Sequence, residues 1–253
     1  MGSRRFLIGS DAHLNPYDAL PYEISCFFSK AHELDAIPVG LGDWFNLLPW
    51  GMKKWNGRVL IFMKLIDSLY IHSCRPLVLI GGNHDPSQLL SPLIKQAQNV
   101  YGYHSIVVGS NLTLKINDES WLFTHGHERS DWFIWRFFAP SVVRYMSERH
   151  PFFWYWLCRR LRWLPSEEKN RQARKTGQES QRYTALTLGI QSAWRRFAEE
   201  NQTNVVIGHT HKAEETKFYS RDKKELQFVD AGDLRDGSCV FVTEDGANTL
   251  WLT

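Results

Sequence analysis

Short apolar runs in this chain end repeatedly in a polar motif built from Asp, Asn, Gly and His. In order, the motifs are Asp11-Ala12-His13, Gly42-Asp43-Trp44-Phe45-Asn46, Gly82-Asn83-His84-Asp85, His125-Gly126-His127 and Gly208-His209-Thr210-His211. They take six of the chain's ten histidines. Each preceding run reads as a β-strand, so carboxylate, amide and imidazole groups collect at strand ends, where they can converge on one point. The set lacks cysteine, which suits Mn, Fe, Zn or Mg rather than a structural thiolate zinc site. One Asp-x-His or one Gly-Asp is ordinary loop chemistry, and a lone His near a strand end is more often a satisfied loop or core residue. The ordered series of five is what constrains the chain.

The segments between the motifs supply the layers. Phe6-Leu7-Ile8, Ile37–Leu41, Leu77–Ile80 and Val205–Ile207 read as strands, with Pro38 counting against the second. Helical patterns cover residues of about 19 to 34 and about 57 to 72, the latter through Val59, Phe62, Met63, Ile66, Leu69 and Tyr70. A third stripe runs through Tyr183, Leu186, Ile190, Trp194 and Phe197, and Pro86-Ser87 opens a short helix. Residues 105 to 125 read as a hairpin turning at Asn117-Asp118, and 214 to 253 as strands and turns. Such alternation predicts an α/β fold, with strands packed under helices on both faces. At 253 residues and 43% hydrophobic content, the chain can build one large domain or a domain with an insertion. Four scattered cysteines without a CxxC pair suit a reducing compartment. The start Met-Gly-Ser-Arg-Arg-Phe leads straight into a strand, so no signal peptide is expected, and Phe6 departs from a myristoylation motif. A cytoplasmic protein is the expectation.

From about residue 5 to the C-terminus the motif series resembles the calcineurin-like metallophosphoesterase superfamily. Its pattern is Asp-x-His, Gly-Asp-x-x-Asp/Asn, Gly-Asn-His-Asp/Glu, a His, then Gly-His-x-His. The resemblance implies a two-sheet β-sandwich flanked by helices, with two divalent metal ions, manganese foremost, at the strand ends. A pair of ions about 3.5–4 Å apart can activate a water and clamp a phosphoryl group. By the same resemblance Asp43 bridges the ions, Asp11, His13 and His211 complete one site, and Asn83, His125 and His209 the other. His84 matches the histidine that contacts the phosphate and protonates the leaving oxygen, and Asp85 is expected to orient its ring or to cap the following helix. His127 is either a substrate contact or a surface loop residue.

Residues 129–175 stand apart. The first part, to residue 165, holds twelve aromatic residues and is divided by Pro140, Pro151 and Pro165 into three expected helices. Over 129–175 there are eleven Lys/Arg against four Asp/Glu, or 11 − 4 = +7, against +3 for the whole chain. This segment is expected to be a helical cap inserted into a catalytic domain made of 1–128 and 176–253. Four roles are open to it: a structural lid, a protein-binding surface, a nucleic-acid-binding element, or a membrane-surface element that also holds an acyl chain. A transmembrane span is excluded by Arg136, Arg144, Glu148 and Arg149. Asn46, His127, Arg129, Lys169, Arg174 and Lys175 are the candidate contacts to an anionic substrate. The Phe228–Leu234 tail, with Gly232-Asp233, resembles the Gly-Asp-Trp tail of UDP-2,3-diacylglucosamine hydrolases, which also carry a helical insertion. That resemblance implies cleavage of the pyrophosphate of a lipid-bearing nucleotide sugar at the inner face of a membrane. The chain departs from that group at His84 (Arg there), His127 (Asp there) and Asn46 (an acid there), which leaves the substrate open. Nuclease, cyclic-nucleotide phosphodiesterase and protein phosphatase share the same metal chemistry, and a non-catalytic scaffold is the remaining alternative.

Overall fold

The computed structural model describes residues 5–15, 19, 21–50, 77–101, 106–107, 109–127, 150, 152–153, 156 and 181–252. The expected helix at 57–72 and nearly all of the expected cap lie outside these residues.

Among the described residues, two sheets face each other. The first has six strands in the order β11-β10-β1-β2-β3-β4, and the second has five in the order β5-β6-β7-β9-β8. In the first sheet β1 (Phe6–Gly9), β2 (Ile37–Leu41), β3 (Val78–Ile80) and β4 (Ile106–Val107) run parallel. The pair β10 (Ser238–Thr243) and β11 (Gly246–Trp251) joins them antiparallel. In the second sheet β6 (Glu119–Thr124), β7 (Asn204–Ile207) and β9 (Glu225–Asp230) are parallel. Its edges, β5 (Asn111–Ile116) and β8 (Glu214–Tyr219), are antiparallel.

The alternation of side chains along each strand builds the layers. Phe6 and Ile8 of β1 point between the sheets, where they meet Val39, Leu41, Trp121, Phe123, Val206, Val229 and Val240. Leu7 points the other way, onto α1 (Tyr22–Glu33) and α2 (Ser87–Tyr101), among Ile24, Phe27, Phe28, Leu90 and Ile94. The outer face of the second sheet, Val205, Ile207 and Phe228, is covered by Ile190, Trp194 and Ala198 of α3 (Gln181–Asn201). Strands buried on both faces must be apolar throughout, which is why they read as short runs and not as alternating patterns.

Most of the expected elements are present. The hairpin turns where expected, with Asn117 and Asp118 at φ 48° and 66°, the mirror-image turn that matches strand twist. The helix after Pro86 is longer than expected, reaching Tyr101 with Pro92 inside it. Pro38 lies within β2 after all, opposite Leu7. Ile37 donates its N–H to Arg5 on the β1 side. Alternation therefore turns the Pro38 nitrogen toward β3, whose pairing with β2 begins only at Val39. The missing donor costs the ladder nothing there.

Candidate metal centre

Every motif sits just past the carboxyl end of a parallel strand. Asp11 and His13 follow β1, Asp43 and Asn46 follow β2, and Asn83, His84 and Asp85 follow β3. His125 and His127 follow β6, and His209 and His211 follow β7. The chain must turn sharply at each strand end to aim these groups at one place. Asp11, His13, Asp43, His209 and His211 accordingly have φ of 56°, 44°, 52°, 71° and 57°. A left-handed conformation costs a non-glycine residue about 1–2 kcal/mol. Strain of this kind survives only where the surroundings over-determine it, as at sites that bind or react.

The glycines allow close approach. A Cβ at Gly82 would lie 2.1 Å from Asp43 Oδ1, and one at Gly208 would lie 1.8 Å from Ser10 Oγ and 2.9 Å from Asp11 Oδ2. Each would push a carboxylate off the centre.

The two carboxylates are used alike. Asp11 Oδ2 accepts the His209 N–H at 2.8 Å and the Ser10 hydroxyl at 2.6 Å. Its Oδ1 lies 3.5 Å from both His13 Nε2 and His211 Nε2. Asp43 Oδ1 accepts the His84 N–H at 2.8 Å, while Oδ2 lies 3.3 Å from His125 Nε2. One oxygen of each is tied to backbone and the other faces the imidazoles.

The rings are aimed from behind. His13 Nδ1 lies 3.1 Å from Asn46 Oδ1, His125 Nδ1 lies 3.1 Å from the Leu41 carbonyl, and His211 Nδ1 lies 3.1 Å from Asp233 Oδ2. Asn46 Nδ2 donates to the His13 carbonyl and to Asn15 Oδ1, which identifies its other atom as the acceptor. All three partners only accept, so Nδ1 carries a proton and Nε2 is the atom that would offer a lone pair to a metal ion. His209 is reversed, with Nδ1 3.2 Å from His125 Nε2, and Asn83 Oδ1 lies 3.0 Å from the same nitrogen.

Among the described residues, three sets of donor atoms lie within 4.8 Å of one another: Asp11, His13 and His211; His13, Asp43 and His84; and Asp43, His125 and His209. Asp43 belongs to two of them. Asp11 Oδ1 is fully buried and accepts no hydrogen bond. A buried carboxylate oxygen in that state is costly unless a cation faces it. The donor set therefore fits divalent metal ions.

The electrostatics point the same way. Burial works to raise the carboxyls of Asp11 and Asp43, yet both are held well below the usual range. His211 and His125 do this for Asp11, and His125 and His84 for Asp43. Burial works to lower His125, but Asp43 and Asp11 push it up to about 10. The pocket thus demands positive charge. His209 is held well below its usual value by burial, then by His125 and His127.

Two expected roles change. Asp85 is expected to orient His84 or cap the helix, but its oxygens accept the backbone N–H groups of Asp43, Trp44, Phe45 and Gly82 at 2.8 to 3.0 Å. It therefore shapes the loop that presents Asp43. Burial, then the Asp43 charge, pushes its carboxyl up to about 7. Asn46 takes the orienting role, with its Oδ1 2.8 Å from His84 Nδ1 as well as against His13. It is buried beneath the two rings rather than presented to a substrate. His127 is buried too, its ring 5.5 Å from that of His125. Arg129, Lys169, Arg174 and Lys175 lie outside the described residues.

Ser10 escapes the motif reading, while Asp230 and Asp233 lie in the Phe228–Leu234 tail but carry no expected role in the centre. The apolar run Phe228-Val229 ending at Asp230 is a usable signal, since it repeats the strand-then-Asp pattern.

The sequence matches the calcineurin-like phosphoesterase family over residues 4–213. No curated protein matches it. Among solved structures it is similar to the protein TT1561 of Thermus thermophilus (9% identity, all of both chains covered, TM-score 0.49). It is also similar to the NAD nucleotidase of Haemophilus influenzae (8% identity, 98% of this chain and 49% of that one, TM-score 0.45). A 5′-nucleotidase precursor from Thermus thermophilus aligns at 10% identity over all of this chain and 55% of that one, with a TM-score of 0.41. The match across residues 4–213 and the clustered Asp and His side chains lead to one conclusion: the chain belongs to the calcineurin-like phosphoesterase family and is a metal-dependent hydrolase of phosphoester bonds.

Proposed function

We propose that the chain hydrolyses a phosphoester or pyrophosphate bond with two divalent ions, manganese first among them. Asp11, His13, Asp43 and His211 would hold one, and Asp43, Asn83, His125 and His209 the other. The observation that carries this reading is Asp43, which shares one metal-competent group with His13 and His84 and another with His125 and His209. When bound, such ions supply a nucleophilic water at neutral pH and neutralise charge on the phosphoryl oxygens. The protein's part is to aim ligands and move a proton. Asn46 holds Nδ1 of His84, so Nε2 of that ring is the atom that would protonate the leaving oxygen. Asn83, His209 and His211 are the partly exposed members, and substrate would enter from their side.

For the substrate we favour a lipid-bearing nucleotide sugar of the UDP-2,3-diacylglucosamine kind, met at the inner face of a membrane by an inserted cap at 129–175. The charge of that segment suits an anionic substrate. Phe152, Phe153 and Trp156 are 47%, 53% and 57% exposed, and the rings of the last two stack at 6.2 Å. Exposed aromatics beside Arg are the composition that favours a headgroup boundary. No helix among the described residues is long and apolar enough to cross a membrane. His127, Arg129, Lys169, Arg174 and Lys175 are the proposed substrate contacts.

A substrate panel with Mn and Mg tests this. Replacing Phe152, Phe153 and Trp156 with Ser is expected to leave a small chromogenic phosphodiester within about threefold. It should slow a diacylated nucleotide sugar at least tenfold, as losing about 1.5–3 kcal/mol of apolar contact allows. Equal loss on both substrates makes the aromatics structural. Faster wild-type cleavage of DNA or phosphoserine peptides replaces the lipid reading.

A further inference from the structure

Three consecutive residues of the last motif are each held by a different aspartate. The His209 N–H donates to Asp11 Oδ2 at 2.8 Å. The Thr210 hydroxyl donates to Asp230 Oδ2. His211 Nδ1 faces Asp233 Oδ2 at 3.1 Å. These aspartates come from the end of β1, the end of β9 and the 3₁₀ turn Leu234–Asp236 that Asp233 caps. Asp11 has its place among the proposed ligands. Asp230 meets the motif only through Thr210, the residue between the two histidines. Asp233 touches a proposed ligand directly.

We propose that Asp233 is a positioning residue of the metal centre, which fixes the tautomer and rotation of His211 so that Nε2 faces Asp11. This rests on the reading of His211 as a metal ligand. The carboxylate is 1% exposed, and its other contacts keep it in place. Arg235 donates from Nη2 to Oδ2 at 3.0 Å, from Nε to Oδ1 at 3.2 Å and from its backbone N–H to Oδ1 at 2.9 Å. Gly237, at φ 88°, closes the turn with its N–H on the Leu234 carbonyl at 3.0 Å. Ser238 Oγ donates to the Asp233 carbonyl at 3.1 Å, which ties the same residue to the start of β10. Asp233 lies three residues past the end of β9, on the crossover to β10 of the first sheet, and His211 lies four residues past the end of β7, the parallel neighbour of β9. The contact joins the loops at the carboxyl ends of two adjacent strands. On the opposite side of the His211 ring, Nε2 lies 3.5 Å from Asp11 Oδ1, and the ring stacks on His13 with centroids 5.1 Å apart. An Nδ1–H held by a carboxylate leaves Nε2 as the lone-pair atom and raises its basicity as a ligand, an arrangement whose loss costs about 10–100-fold in metal affinity.

The experiment compares wild type, Asp233→Asn and Arg235→Gln by calorimetric titration of Mn into chelator-stripped protein. Long-range ¹⁵N–¹H spectra of the histidine rings in the Zn-loaded wild type accompany it. Asp233→Asn is expected to weaken one of two Mn sites by about 10–100-fold and leave the other within about threefold. Arg235→Gln, which removes the guanidinium but keeps the carboxylate and the backbone N–H that donates to it, is expected to weaken the same site less than Asp233→Asn does. The wild-type spectrum should show His211 protonated at Nδ1. Unchanged Mn affinity at both sites in folded Asp233→Asn, or a wild-type His211 protonated at Nε2, overturns the proposal and leaves the metal reading intact. Equal weakening by Arg235→Gln makes the turn, not the carboxylate, responsible, and overturns it too. A wild type that takes up no Mn sinks the metal reading and this proposal together. If Asp233→Asn does not fold, the wild-type spectrum alone decides.

Discussion

Asn46 Oδ1 lies 2.8 Å from Nδ1 of His84, and the same oxygen lies 3.1 Å from Nδ1 of His13. One buried amide thus orients the rings of a proposed metal ligand and of the proposed proton donor. Asn46→Ala is expected to weaken Mn binding and to lower kcat, together by about 10–100-fold. Metal titration alongside steady-state kinetics measures both. A variant with normal Mn affinity and normal kcat would show that packing alone holds the rings.

Asp43 belongs to two of the donor groups, so Asp43→Ala is expected to remove both ions and all turnover. Elemental analysis of the purified variant reads the first and any phosphodiester assay the second. Near wild-type hydrolysis would sink the bridging assignment.

His84 lies within ligand reach of His13 and Asp43, so its role needs separating from metal binding. His84→Ala is expected to retain both ions and to lose roughly 10²–10⁴-fold in kcat, the range for a general acid. Loss of one ion per chain would instead make His84 a ligand.

Asp230 offers a pH test away from the reacting atoms. Burial pushes its carboxyl up to about 7, although Thr210, Gly232 and Gln191 donate to it. A carboxyl raised in the folded state leaves the fold at full stability below the unfolded value, near 4. Stability is then lost as pH rises from there through 7. Between pH 5.5 and 7 wild type should lose about 2 kcal/mol relative to Asp230→Asn. The difference in Tm should therefore move by about 4–8 °C in favour of the variant. Thermal unfolding of both proteins at the two pH values checks this, and a pH-independent difference would refute the assignment.

The layers and most of the centre were legible in the residue order. Strands sandwiched between apolar layers must be apolar at every position, so Phe6–Ile8, Val78–Ile80 and Val205–Ile207 announce themselves as runs. Parallel strands place all their carboxyl ends on one side, so an Asp, Asn or His after each run collects there without further information. That is why Asp11, Asp43, Asn83, His125 and His209 can be grouped from motif order alone. What holds each ring cannot be read the same way. Motif order makes Asn46 a substrate contact and Asp85 the His84 orienter, because both lie in the right motifs and both can hydrogen-bond. Only the folded backbone turns Asp85 onto the N–H groups of residues 43–45 and brings Asn46 under two imidazoles. Asp233 was still further from view. It lies 22 residues beyond His211 and reaches it because β7 and β9, the strands that precede the two residues, pair side by side in parallel. Residue types at strand ends determined what this chain can bind. Hydrogen-bond direction between the strand-end loops, a property of three-dimensional packing with no local periodicity, decided which atom of each ring faces the centre.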